Sequence, residues 1–203
     1  MTGVQTCALP ISLMYEYGEG VNKDYVKAFE LYQKSAEGGG SSGGICMLGY
    51  CYDFGIGTDV NKQKAFELYQ KAADLGNSIA QYNLANIYKD GTYIKRDYIK
   101  AFELYQKSAE GGYSGGIYKL GYCYSRGIGT GVNKQKAIEL YQKAANLGNS
   151  TAQRKLANKY YIGKSIVRDI DQAIYWYKKL SEQESQQDIQ DKLEELIDIR
   201  SFM

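Results

Sequence analysis

Apolar and small residues recur along this chain on two scales, within helices and from one helical pair to the next. The heptapeptide AFELYQK occurs at Ala28 to Lys34 and again, letter for letter, at Ala65 to Lys71 and Ala101 to Lys107. It returns as AIELYQK at Ala137 to Lys143 and as AIYWYKK at Ala173 to Lys179. The starting alanines stand 37, 36, 36 and 36 residues apart, and a fixed period of this size is the signature of stacked supersecondary units. Each period holds two runs with the i, i+3, i+4, i+7 spacing of one helix face. The first, helix A, reads Ile45, Leu48, Gly49, Tyr52; then Gln81, Leu84, Ala85, Tyr88; then Ile117, Leu120, Gly121, Tyr124; then Gln153, Leu156, Ala157, Tyr160. The small residue after leucine predicts close approach of a second helix, because glycine there costs about 1 kcal/mol of helix propensity that packing must offset. The second run, helix B, carries an inward stripe of Ala65, Leu68, Tyr69 and Ala72. On its outward side Glu67 and Lys71 stand in the favourable i, i+4 order, as do Glu30/Lys34, Glu103/Lys107 and Glu139/Lys143.

The ends of these helices are also written in the sequence. Asp24, Asn61, Asp97, Asn133 and Asp169 each lie four residues before a repeat alanine, where a side-chain acceptor caps helix B. Gly55, Gly91, Gly127 and Gly163 predict left-handed termination of helix A, and Gly38, Gly76, Gly111 and Gly148 the end of helix B. The predicted fold is therefore all-α: a right-handed α-solenoid of antiparallel helix hairpins, each touching only its neighbours. Residues 13–41 form an incomplete first repeat, followed by repeats at 42–77, 78–113 and 114–149 and a last one at 150–181. Residues 182–203 are acidic and place Ile189, Leu193, Leu196 and Ile197 at helical spacing. They predict a helix that caps the last hairpin with a polar outer face. A longer period overlies the first: residues 28–39 and 101–112 are identical, and 61–81 match 133–153 at all but three positions. The array reads as a duplicated two-hairpin block of about 72 residues.

Residues 1–12, MTGVQTCALPIS, carry no charge and the only proline, Pro10. The repeat pattern dissolves within them. They lack the basic start and long apolar stretch of a signal peptide. They resemble the conceptual translation of a sequencing adaptor joined to a truncated gene, and are read as a non-native or disordered start.

Composition narrows the chemistry. With 25 Lys plus Arg against 23 Asp plus Glu in 203 residues, the net charge of +2 gives no reason to propose nucleic acid or an anionic membrane as partner. No apolar run approaches the roughly 20 residues that span a bilayer. There are 21 tyrosines and no histidine, which removes the commonest general base and metal ligand. Cys46 and Cys51 share a helix at a spacing that points them apart, and Cys51 and Cys123 occupy equivalent positions two units apart. With Cys7 they read as reduced thiols in a cytoplasmic setting. The GIGT stretches at Gly55 and Gly127 follow a helix once per unit and are turns rather than phosphate loops. Gly163-Lys164-Ser165 lacks the earlier glycine and the strand of a P-loop. No metal site, catalytic residue or cofactor is expected, and no small-molecule substrate; the chain reads as a non-enzyme.

The strings LANIYKDG…RDYIKAFELYQKSAEGG and LGYCYDFGIGTDVNKQKAFELYQKAADLG resemble the SEL-one-like repeat, a relative of the tetratricopeptide repeat with the pattern LGxxYxxGxGVxxDxxKAxxxYxKAAxxGx. The resemblance covers residues 13 to 180. It implies a superhelix used for protein–protein assembly, as an adaptor in signalling or quality-control complexes. Some such arrays are joined to kinase domains, so a regulatory region of a larger signalling protein is the alternative. Secreted bacterial members pair cysteines in every unit; this chain lacks that arrangement, so their reported β-lactam binding or hydrolysis is not carried over. By the tetratricopeptide analogy, the variable face of helix A lines a concave groove. Its members are Cys46, Tyr50 and Asp53; Tyr82, Asn86 and Lys89; Tyr118, Tyr122 and Ser125; Arg154, Asn158 and Tyr161. Aromatics interleaved with amides and charges suit a protein or peptide surface. The competing reading is that these are ordinary exposed helix residues.

Overall fold

The computed structural model describes residues 13, 15–18, 20, 22–38, 40–163, 165–184 and 186–202. The segment 1–12 read as a foreign start, and Lys164 of the rejected P-loop match, lie outside them. Among the described residues the chain is helical and contains no strand. Ten α-helices follow a short helical stretch at 15–17. In order they are α1 (Tyr25–Glu37), α2 (Ser42–Phe54), α3 (Lys62–Asp74), α4 (Ser78–Asp90), α5 (Tyr98–Glu110), α6 (Ser114–Arg126), α7 (Lys134–Asn146), α8 (Ser150–Ile162), α9 (Ile170–Ser181) and α10 (Gln187–Ser201). The chain divides into two compact units at Gly111/Gly112. The first holds α1 to α5 and the second α6 to α10.

Local chemistry fixes where each helix starts. Asp24, Asn61, Asp97, Asn133 and Asp169 sit in extended backbone, and each accepts a hydrogen bond at 2.9 Å from the backbone N–H three residues on. Helix A ends as the sequence predicts, with Gly55, Gly91, Gly127 and Gly163 at φ between 66° and 75°, a region that carries little penalty for glycine. At the end of helix B, Gly76 and Gly148 stop the helix in left-handed backbone as expected, whereas Gly38 and Gly111 do not take that conformation. Gly38 and Gly111 have φ of −74° and −71°, while α3 and α7 are capped by Leu75 and Leu147. The left-handed turn falls one residue later, on Gly76, Gly112 and Gly148.

Packing explains the heptapeptide. Its alanines Ala28, Ala65, Ala101 and Ala173 and its tyrosines Tyr32, Tyr69, Tyr105 and Tyr141 are buried to 0% exposure. A buried aromatic ring of this size contributes on the order of 4 kcal/mol of apolar burial, an upper figure. The small residue on helix A makes room for it: a Cβ at Gly49 or Gly121 would stand 3.1 or 3.0 Å from the ring of Tyr69 or Tyr141. Two buried glutamines tie the start of an A helix to the B helix before it. Gln81 donates to the Ala73 carbonyl at 3.3 Å and Gln153 to that of Ala145 at 3.2 Å. The predicted i, i+4 Glu–Lys pairs do not close among the described residues. Glu30 meets Lys27 instead, at 3.4 Å, and Glu67 and Glu139 accept from Gln63 and Gln135 one turn earlier. Exposed ion pairs at this spacing gain too little, under about 0.5 kcal/mol, to hold two long side chains together.

Candidate functional site

The variable face of helix A is neither core nor freely exposed. Tyr50, Asp53, Tyr82, Asn86, Lys89, Tyr118, Tyr122, Ser125, Arg154, Asn158 and Tyr161 are all half-buried. Cys46 departs from the set: at 2% exposure it belongs to the core, where an unoxidised cysteine behaves as a small apolar side chain. Burial pushes both Cys46 and Cys51 thiols up to about 12, so they are protonated and unreactive near neutral pH.

Part of the polarity on this face is spent on the tyrosines of helix B. Tyr69 Oη donates to Asp53 at 3.5 Å, Tyr105 Oη to the Asn86 amide oxygen at 2.6 Å and Tyr177 Oη to that of Asn158 at 3.1 Å. In the first hairpin Tyr32 Oη donates to the buried carboxylate of Glu16 at 2.5 Å. A buried phenol that found no acceptor would cost about 1–3 kcal/mol, a cost these four acceptors spare, while the equally buried Tyr141 hydroxyl has no acceptor among the described residues. The acceptor's place shifts along the array. Glu16 and Asp53 stand 16 residues before their tyrosine, Asn86 and Asn158 19 residues before. Burial also raises the phenol of Tyr141 to about 12, and Ser125 and Arg126 act against that rise. Ring contacts add to the same junction: Tyr82 lies 6.1 Å from Tyr105 and Tyr118 5.5 Å from Tyr141, centroid to centroid.

The last hairpin carries a feature that the sequence did not signal. Arg154 donates to Glu184 at 3.1 Å, to the Gln186 side chain at 3.1 Å and to Asp188 at 2.8 Å. Burial alone would lower the guanidinium, but Asp188 and Glu184 hold it above its usual range. Tyr161 donates to Glu195 at 3.1 Å, while Lys192 lies 4.1 Å from the Tyr161 ring and 2.7 Å from Glu195. Ile189 and Leu196 beneath them are fully buried. The acidic C-terminal helix α10 therefore packs on helix B of the last hairpin, α9, where the A helix of a further repeat would stand, and its edge side chains engage Arg154 and Tyr161 of α8.

Tyr50, Lys89 and Tyr122 are half-buried and are not clasped by α10. Tyr50 packs on Phe54 at 4.7 Å, Lys89 pairs with Asp90 at 2.5 Å and Tyr122 receives Arg126 at 6.0 Å. Among the described residues no three His, Cys, Asp or Glu side chains come together in a way that could hold a metal ion. No helix among them is long and apolar enough to cross a membrane.

Comparison with known proteins agrees with this architecture. A family model described as Sel1 repeat matches residues 11–40, 43–77, 78–113, 114–149 and 150–185. The structure is similar to a Sel1 repeat protein from Oxalobacter formigenes, with 30% identity over 88% of this chain and 72% of that one and a TM-score of 0.78. It is also similar to a protective antigen of uropathogenic Escherichia coli strains that displays an SLR fold, at 32% identity, with 93% of this chain and 40% of that one covered and a TM-score of 0.73. Cysteine rich protein B of Helicobacter pylori matches 66% of this chain and 96% of its own length at 30% identity, with a TM-score of 0.51. No curated protein is significantly similar in sequence. The capped hairpins, the buried tyrosine spine and the five matched repeats establish that this chain belongs to the Sel1 repeat family.

Proposed function

We propose that this chain is a non-enzymatic interaction module that binds a protein or peptide segment across the A-helix face. The observation that carries this reading is the row of half-buried, non-repeating side chains on helix A, two of which, Arg154 and Tyr161, already engage side chains of the neighbouring α10. Half-buried aromatic, amide and charged groups supply what such a contact needs, rigid rings with polar atoms at their edges. Helix B offers no comparable variation, because its inward side is consumed by packing and its outward side repeats the same solvated residues. The reading extends to a cytoplasmic adaptor, supported by Cys46 and Cys51, which form no disulfide among the described residues.

The test compares capture of binding proteins from a lysate of the source organism by three forms of the full chain. Tyr82 and Tyr118 are avoided, since each also packs on a core tyrosine. Tyr50→Ser with Lys89→Glu and Tyr122→Ser is expected to lose the captured species. Glu67→Ala with Glu139→Ala, on the outward side of helix B, is expected to retain them. Equal capture by all three folded proteins would refute the A-helix face as the binding surface.

A further inference from the structure

In the first unit, the end of α2, the start of α3 and the side of α4 enclose a cleft of about 210 Å³. Its walls carry the carboxylates of Asp53 and Asp90, the amides of Asn83 and Asn86, and the Tyr93 phenol, beside the Phe54 ring. Lys62 is the one cation among its lining residues. That ammonium donates to the Asp53 carbonyl at 2.6 Å and to its carboxylate at 2.7 Å, and lies 5.5 Å from the Phe54 centroid. The wall thus already holds one positive group with a carboxylate, a carbonyl and a π face. Tyr93 Oη is buried and makes no hydrogen bond among the described residues, leaving a donor and an acceptor uncommitted at the cleft.

The duplicated block supplies a second and independent observation. Residues 46–97 align without gaps on 118–169, and outside the cleft nine of 43 positions differ. Among the nine cleft positions seven differ. Asp53, Phe54, Asn83, Ile87 and Asp90 stand where the second block has Ser125, Arg126, Lys155, Lys159 and Ile162. Thr92 and Tyr93 stand where it has Lys164 and Ser165. Two carboxylates and one cation in the first block give way to five cations and no carboxylate in the second. The scaffold was kept while the charge of this one place was inverted.

We propose that the cleft of the first unit binds the guanidinium side chain of an arginine presented by a protein partner. Asp53 is paired with Lys62, Asp90 with Lys89, and the Asn86 oxygen accepts from Tyr105, so an incoming guanidinium shares these acceptors with them. It carries five donors in a planar fork, able to reach two carboxylates and the Asn83 amide oxygen together, and its plane can lie on Phe54. An ammonium offers three donors from a single point and matches fewer of these groups. The proposal rests on the A-helix face reading in that Asp53 and Asn86 belong to both.

Titration of the full 15N-labelled chain with N-acetyl-arginine amide, followed by NMR, tests it, with the N-acetyl amides of lysine and citrulline as comparisons. Saturable shifts are expected at the side-chain amides of Asn83 and Asn86 and at the Tyr93 backbone amide. Citrulline, which keeps the shape and loses the charge, is expected to bind at least tenfold more weakly. Asp90→Asn should weaken the arginine response at least threefold. Asp53→Ser with Phe54→Arg and Asp90→Ile, the residues of the second block, should abolish it. If that triple variant does not fold, the Asp90→Asn titration decides alone. An equal response to citrulline, an unchanged response in Asp90→Asn or no saturable shift at these positions overturns the proposal, and an equal response to lysine overturns its guanidinium assignment. Loss of capture in the Tyr50, Lys89 and Tyr122 variant together with no arginine response would remove the cleft and leave the A-helix face standing.

Discussion

Tyr32 and Tyr105 occupy the same place in two copies of one heptapeptide, yet their hydroxyls meet different acceptors. Tyr32 donates to the Glu16 carboxylate and Tyr105 to the Asn86 amide. A hydrogen bond to a charged group contributes about twice what a neutral pair does. Tyr32→Phe is therefore expected to destabilise by about 2 kcal/mol and Tyr105→Phe by about 1 kcal/mol, read from urea unfolding; the reverse order would refute the pairing. Alkali acts on the same buried groups. Cys46, Cys51 and Tyr141 are held up at about 12 by burial, whereas the unfolded chain gives up these protons at about 8.5 for cysteine and about 10 for tyrosine. The folded state binds more protons in that interval, so the stability these groups contribute is intact below about pH 8.5 and falls as pH rises towards 12. Thermal melts by circular dichroism should show a Tm that falls steadily from pH 8.5 to 11, and a flat or rising Tm would contradict the burial.

At the scale of elements, what could be read in advance was local. An N-cap needs only its own residue and the N–H three positions on, so all five helix B starts were legible at Asp24, Asn61, Asp97, Asn133 and Asp169. The left-handed glycines ending helix A were legible for the same reason. The Glu–Lys pairs were not, because glutamine one turn earlier competes for the same carboxylates. The acceptors for Tyr32, Tyr69, Tyr105 and Tyr177 lie 16 or 19 residues away on another helix, and nothing in the heptapeptide announces which residue each will be. The clasp of Arg154 on Glu184 and Asp188 spans some thirty residues and was equally silent. Two predictions belong here. Gly57 has φ of +68°, and a Cβ there would fall 2.1 Å from the Tyr25 carbonyl oxygen. Gly57→Ala should thus cost at least about 2 kcal/mol and lower the Tm, whereas Gly76→Ala, with open space around it, should cost only the strain of its φ of +82°. Arg154→Ala should weaken docking of α10 by about 1 kcal/mol, since the clasp is partly exposed. Hydrogen exchange at 187–201 should quicken while α3 is unchanged, and unaltered exchange in α10 would show the clasp to be idle.

For the molecule as a whole, repetition and difference divide the labour between the two helices. Helix B repeats because its alanines and tyrosines hold hairpins together, and a change there is felt in the core. Helix A repeats only where it touches helix B, and between those contacts it is free to differ. The candidate surface was legible in the sequence as the place where the copies stop agreeing. Its double duty was not, because Asp53, Asn86 and Asn158 serve the tyrosines as well as the face. The duplicated block carries the contrast furthest, with an acidic cleft in one copy and basic residues at the same positions in the other.

The most direct measurement is site-specific photocrosslinking with a benzoylphenylalanine placed singly at Tyr50, Lys89 or Tyr122 on helix A, and at Glu67, Glu103 or Glu139 on helix B. Partner adducts are predicted from the three helix A positions and from none of the helix B positions. Adducts from the helix B positions, with none from helix A, would contradict the assignment of binding to the A-helix face.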